Sequence, residues 1–415
     1  MNVSLGKLID FSYFIIFFSG YQGGKYFAHN RLQELAFAST FALFMFGAIK
    51  LAMMRSKIKW RWWFWSAPLL VAYPMLVAPV SFSINTNANV FFSFFATREF
   101  LMAFLAPSIY FMYKLGYPIE RLEKVFVVSL FFLIINYLFH YFRLDLRETF
   151  LGGGYMSAQV TYDEWRGFRL KPPTYALFII TVYCLIFLVQ ENLVVKKVGV
   201  VLALCMIGYV WYILLQRSQM AGLALSLLLY PLLFSRPKRI NLLLFGIPII
   251  FLAILMGSES FIDIFMEEDK IRAKSFNTAI KMFFEVPLFG FGQASNAGVT
   301  YQSLFGYRFF PSDLGLIGVF FRFGLIGGFI YLFFLFFILT RIVKANWSSR
   351  IIYKKHNPVI LALLIWMIGV TINIILIPTF GYIQGITTGA LIIGLTACYR
   401  DYFEQDKSIN VRCLQ

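Results

Sequence analysis

Charge is what this chain has least of. Only 14% of its 415 residues are Asp, Glu, Lys or Arg, and the acids are the minority, 20 against 37 basic residues. Soluble proteins carry about a quarter charged residues, so a water-facing shell around one globular core is excluded. Cysteine and histidine are also rare. The four cysteines (Cys184, Cys205, Cys398 and Cys413) form no Cys-x-x-Cys pair and none falls in a long hydrophilic stretch, which leaves no disulfide framework to expect. The three histidines (His29, His140 and His356) are scattered, without zinc-ligand spacing. In place of charge the chain is 60% hydrophobic and 20% aromatic, with a mean hydropathy of +0.73. No globular interior has room for so many apolar side chains, whereas helices in lipid can be apolar all round. The expected fold is one all-α, polytopic transmembrane bundle.

Apolar runs that cross ~30 Å of hydrocarbon, or nearly so, lie at about Leu35–Met54, Trp63–Phe82, Val90–Tyr113, Val125–Phe142, Tyr175–Gln190, Val198–Gln216, Met220–Phe234, Leu242–Met256, Leu314–Thr340, Val359–Thr379 and Ile383–Cys398. Leu8–Gly20 is a shorter candidate, and Phe17–Tyr21 offers no small-x-small cleavage site, so it is expected to stay as the first span. The total is about twelve transmembrane helices. Backbone exposed to lipid must satisfy its own hydrogen bonds, and alternation at barrel period is absent, so helices are expected.

Lys and Arg set the orientation. With the N-terminus inside, the inner connections hold 21 of them, from Lys7 through the Arg55–Arg61 run to Lys407 and Arg412. The short outer connections hold only Lys25, Arg31 and Arg217. The net charge of +17 therefore reflects positive-inside placement and not nucleic-acid binding. Both large hydrophilic stretches, Arg143–Thr174 and Gly257–Asp313, fall outside, and each carries five Lys/Arg. Such loops suit an anionic substrate. In the second, Ile271, Phe276, Ala279, Ile280, Phe283 and Phe284 recur at helical spacing until Pro287, as in an amphipathic helix lying on the membrane surface or packed on the bundle. The Gly290-Phe291-Gly292 that follows is a weak phosphate-cradle signal; most such pairs are turns.

Charges inside spans each cost roughly 2.5–3.5 kcal/mol at the membrane centre. Arg98 and Arg322 each lie eight residues into a span entered from outside, ~12 Å below the outer surface. Arg217 stands at the outer end of its helix. Three guanidiniums can converge on one phosphate or diphosphate, with Glu99 neutralising one of them. The alternative is an Arg98–Glu99-type ion-pair network that holds helices together.

Three blocks resemble the O-antigen polymerase and O-antigen ligase family, polytopic glycosyltransferases of GT-C-like fold that act on undecaprenyl-diphosphate-linked glycans. The first is Arg166-Gly167-Phe168-Arg169-Leu170-Lys171-Pro172-Pro173-Thr174, before a span. The second is Leu214-Leu215-Gln216-Arg217-Ser218, with Gln216 where relatives often carry serine. The third joins Arg272, Pro287–Gly292, Pro311-Ser312-Asp313-Leu314-Gly315 and Phe323–Gly327. Together they cover about a third of the chain. Ligases have a histidine-asparagine pair near the position of Ser312-Asp313, and the second loop here has no histidine, which tilts the resemblance towards polymerases. One polymerase subgroup carries arginine, ten residues and glycine in both outer loops; Arg143 and Gly154 fit in the first, and no arginine fits in the second.

The resemblance implies transfer of a growing glycan from undecaprenyl diphosphate to a hydroxyl of the next lipid-linked repeat, at the outer face of a bacterial inner membrane, with both termini cytoplasmic. It implies no cofactor and no metal. Arg98, Arg217, Arg272 and Arg322 would stabilise the diphosphate as the anomeric bond breaks. Arg143, Arg166 and Arg169 would face the glycan. The hydroxyl needs a base, for which Asp313 comes first, then Glu99 and His140; Asp313 as a helix N-cap is the competing reading. The partners implied are the lipid-linked donor and acceptor, membrane lipids and a chain-length regulator. The rival functions are an O-antigen ligase and a lipid-linked oligosaccharide flippase.

Overall fold

The computed structural model describes residues 3–27, 31–54, 66–163, 167–191, 193–214, 217–233, 261–294, 299–306, 309–353, 356–373 and 379–412. It is built almost wholly of helices. The first half contains α1 (Val3–Gly20), α2 (Arg31–Met53), α3 (Ser66–Thr86), α4 (Val90–Ala96), α5 (Leu105–Lys114) and α6 (Ile119–Arg143). Two short helices, α7 (Leu146–Leu151) and α8 (Gly154–Ser157), lead into a hairpin of β1 (Val160–Asp163) and β2 (Gly167–Leu170). Then come α9 (Thr174–Gln190), α10 (Val194–Leu214), α11 (Arg217–Leu233), α12 (Phe261–Glu285), α13 (Tyr301–Phe305), α14 (Gly315–Tyr353), α15 (Pro358–Asn373) and α16 (Ile383–Arg412).

The chain is an all-α, multi-pass membrane protein. Among the described residues four helices are long and apolar enough to cross a bilayer: Leu32–Met53, Ile119–Arg143, Val194–Leu214 and Gly315–Ser349. The bent pair Val90–Ala96 and Arg98–Lys114 makes a fifth if it counts as one span. The sequence suggests about twelve; Thr174–Gln190, Gln219–Tyr230 and Pro358–Asn373 are apolar but shorter, and Leu242–Met256 lies outside the described residues. A 16-residue helix reaches only ~24 Å.

Burial accounts for much of the apolar character of the last two helices. Val359 to Ile368 on α15 and most of α16 from Ile383 to Tyr399 are buried, so these two form the centre of the bundle. Phe91, Phe95, Phe329 and Phe333 are half or more exposed on the periphery, a surface that suits acyl chains and not water.

Two helices break inside the bundle. The run expected as one span over Val90–Tyr113 bends by 45° after Ala96 and continues as a 3-10 turn, Arg98–Phe104. The run expected over Leu314–Thr340 is interrupted at Gly324, whose φ of 65° and ψ of −169° are not helical. The sequence gives no expectation of strands, yet the first hydrophilic stretch forms a hairpin that pairs Val160 with Leu170 and Tyr162 with Phe168 in antiparallel register.

Candidate functional site at two broken helices

A break in a buried helix frees backbone groups that must find other partners. Around Gly324 the partners come from the segment after α12. Phe291 N–H donates to the Phe321 carbonyl (2.7 Å) and Gly292 N–H to that of Arg322 (3.0 Å). In the opposite direction Leu325 N–H donates to Pro287 (2.8 Å) and Ile326 N–H to Leu288 (3.3 Å). The Tyr73 hydroxyl takes the Phe323 carbonyl at 3.1 Å. Gly292 (φ 98°) is needed because a Cβ there would stand 2.2 Å from the Phe82 nitrogen of α3. The Gly-x-Gly pair is thus a packing joint between loop, α3 and α14.

Arg322 sits on the last helical turn before that break and is 6% exposed. Its Nε donates to the Gly318 carbonyl at 3.2 Å and its Nη1 to Gln293 Oε1 at 3.4 Å. Nη2 has no hydrogen-bond partner among the described residues, and it lies 2.8 Å from where a Cβ on Gly381 would be. A buried guanidinium nitrogen without an acceptor is a rare arrangement that calls for a physical explanation, and a guanidinium suits an anionic oxygen.

The other broken helix brings Glu99 to the same place. Glu99 Oε2 accepts the Ile383 N–H at the start of α16 (3.2 Å), and Oε1 accepts from Gln33 Nε2 (3.4 Å). The charges of Arg98 and Arg322 both reach this carboxylate. Arg98 itself forms its ion pair with Glu34 of α2, at 2.8 Å, and donates to the Phe95 carbonyl. The structure therefore replaces the anticipated Arg98–Glu99 pair with Arg98–Glu34, and gives Glu99 the work of anchoring a helix N-terminus.

Asp313 lies in the 3-10 turn Pro311–Asp313, exposed, with the Ser312 hydroxyl 3.3 Å from its Oδ1. The Tyr382 hydroxyl donates to the Ser312 carbonyl in the same turn at 3.0 Å. Burial raises this phenol above its ordinary pKa, and the charges of Asp313, Arg322 and Glu99 all reach it. On the other flank, burial lowers Lys171 while the Asp313 carboxylate pulls it back up. Lys25 donates to Gln22 Oε1 (3.1 Å) and to the Pro172 carbonyl (3.2 Å), and burial reinforced by Lys171 brings it down to about 7. The Asp313 carboxylate thus reaches Lys171 at the hairpin's exit and, together with Arg322, the Tyr382 phenol.

The remaining anticipated residues are distributed differently. Arg169 donates to Thr161 Oγ1 and, at 3.2 Å, to the Leu214 carbonyl at the C-terminus of α10, tying the hairpin to that helix end. Arg143 is exposed at the end of α6, with its guanidinium over Phe139. His140 stacks on Tyr26 (6.0 Å between centroids) and meets Phe27 edge-on (5.3 Å); no described contact joins it to Asp313 or Arg322. Arg166 lies outside the described residues. Arg217 and Arg272 are placed only by their helices, α11 and α12, and their side chains are not described. Sequence reading missed Gln33, Glu34, Lys25, Lys171, Gln293 and Tyr382. Lys25 and Lys171 carried a signal, the one as a cation in a charge-poor outer connection and the other as part of the Arg166–Thr174 block.

No protein-family model matches the chain, and no curated protein matches it.

Proposed function

We propose that the chain is a metal-independent glycosyltransferase that polymerises lipid-linked polysaccharide repeats at the outer face of a bacterial inner membrane. In this reading about twelve helices form a GT-C-like bundle, 143–174 and 257–313 are periplasmic, and both termini are cytoplasmic, following the 21-to-3 asymmetry of Lys and Arg. The observation that carries it is Arg322, a buried guanidinium with an unpartnered Nη2, whose charge reaches Tyr382 together with that of the exposed Asp313.

The chemistry follows from those two groups. A hydroxyl oxygen of the incoming lipid-linked repeat attacks the anomeric carbon of the donor glycan, and Asp313 takes its proton. The bond from that carbon to the diphosphate oxygen breaks, and undecaprenyl diphosphate leaves with the electron pair. Arg322 stabilises the negative charge that develops there, with Arg217 of α11, Arg272 of α12 and Arg98 as the further cations in this reading. A chain-length regulator is the expected protein partner.

One observation favours a second reading. Broken helices that meet at buried charges are a hallmark of transporters, so a lipid-linked oligosaccharide flippase is the rival. Glycan ladders from cells lacking the protein separate the two. Loss of a polymerase leaves lipid A-core with a single repeat; loss of a ligase leaves none attached; loss of a flippase strands the repeat inside.

A further inference from the structure

The end of the bundle opposite Arg322 holds a second feature. A cavity of about 770 Å³ opens between α1 and α6, lined at its mouth by Lys7, Asp10, Glu120, Arg121 and Lys124 and further along by Phe11, Phe14, Val125 and Val128. The polar and apolar parts are separated along the helix axes. Val128 stands one helical turn beyond Lys124, and Phe14 two turns beyond Lys7. Phe11 and Val128 are 59% and 50% exposed, so the apolar part faces the bilayer.

The charges at the mouth are already partly sorted. Asp10 is held by Arg121 Nε at 2.9 Å and by the Tyr117 hydroxyl at 2.6 Å. Lys7 and Lys124 are exposed and have no ion pair among the described residues. Three cations against Asp10 and Glu120 leave one net positive charge, which matches the single negative charge of a phosphodiester. An apolar trough below a mouth of this charge fits a lipid better than a soluble anion, because the soluble anion would leave the trough empty.

We propose that this groove binds an anionic glycerophospholipid of the surrounding bilayer, with its phosphate between Lys7 and Lys124 and one acyl chain along Phe11, Phe14, Val125 and Val128. The groove is at the far end from Arg322, so its occupancy is independent of the reaction proposed above. The test uses the purified full-length protein in nanodiscs of phosphatidylcholine with a minor share of phosphatidylglycerol, released and weighed by native mass spectrometry. The expected result is retention of phosphatidylglycerol out of proportion to its supply. The K7A/K124A variant should lose that preference by about twenty-five-fold, at roughly five-fold per lysine, and K7R/K124R should keep it. Retention of the two lipids in proportion to supply, or an undiminished preference in K7A/K124A, overturns the assignment. The wild-type comparison stands without either variant, so a folding defect in one of them does not rescue the proposal.

Discussion

The N–H of Gly292 donates to the carbonyl of Arg322 over 3.0 Å, so a loop glycine holds the backbone from which the buried guanidinium projects. The adjacent bonds from Phe291 to Phe321, and from Leu325 and Ile326 back to Pro287 and Leu288, make the segment after α12 a substitute for the missing turn of α14. The loop thus completes the membrane helix that carries the proposed anion receptor.

That joint should tolerate no side chain. Gly292→Ala places a Cβ 2.2 Å from the Phe82 nitrogen at a φ of 98°, with a backbone strain of ~1–3 kcal/mol before any clash is counted. A lower melting temperature in detergent is expected, together with loss of polymer. Gly199→Ala on α10, where a Cβ would meet nothing within 4 Å, is the matched control and should melt like the wild type. Equal melting of the two variants would show that the joint does not matter.

Arg322→Ala should abolish polymer while protein level and membrane insertion stay largely intact, since the guanidinium's proposed task is on the diphosphate. Arg322→Lys should rescue poorly: an ammonium cannot serve Gly318, Gln293 and a ligand from one planar fork. Glycan ladders alongside membrane immunoblots give both readouts. A full ladder from the alanine variant removes the anion receptor, and disappearance of the protein assigns Arg322 to packing instead.

Asp313 separates its two roles through asparagine. As general base its carboxylate must accept a proton, so Asp313→Asn should lose ~10²–10⁴-fold in rate. As a cap alone, asparagine should be nearly silent and alanine should cost about 1 kcal/mol. In vitro polymerisation of purified lipid-linked repeats decides between them. Addition of a chelator in the same assay tests metal independence, and inhibition by it would contradict that part of the proposal.

Lys25 predicts the pH dependence of stability. Its folded pKa is about 7, below the ordinary lysine value of 10.5 that holds when the chain unfolds. Between those two values the unfolded state binds the extra proton, so stability rises with pH across that window and levels off below 7, where both states are protonated. Melting temperature should climb from pH 7 to pH 9. In Lys25→Met that climb should be smaller, although the variant also gives up the bonds to Gln22 and Pro172. An unchanged slope would show that Lys25 is not the group responsible.

Hydropathy was enough to determine a helical membrane protein, because burying or lipidating so many apolar side chains leaves no other solution. It also singled out Arg98, Glu99 and Arg322, since a charge within an apolar run stands out against its neighbours. The partners of those charges were not legible. Glu99 answers to Gln33 and Ile383, Arg98 to Glu34, and Arg322 to Gln293, pairs separated by up to 284 residues, and no local pattern encodes such distances. The break at Gly324 was equally hidden, because Phe323-Gly324-Leu325-Ile326-Gly327 is as apolar as any intact span. A glycine inside a helix is common; only the loop's free N–H and C=O groups, delivered by tertiary packing, make the left-handed turn there affordable in a membrane.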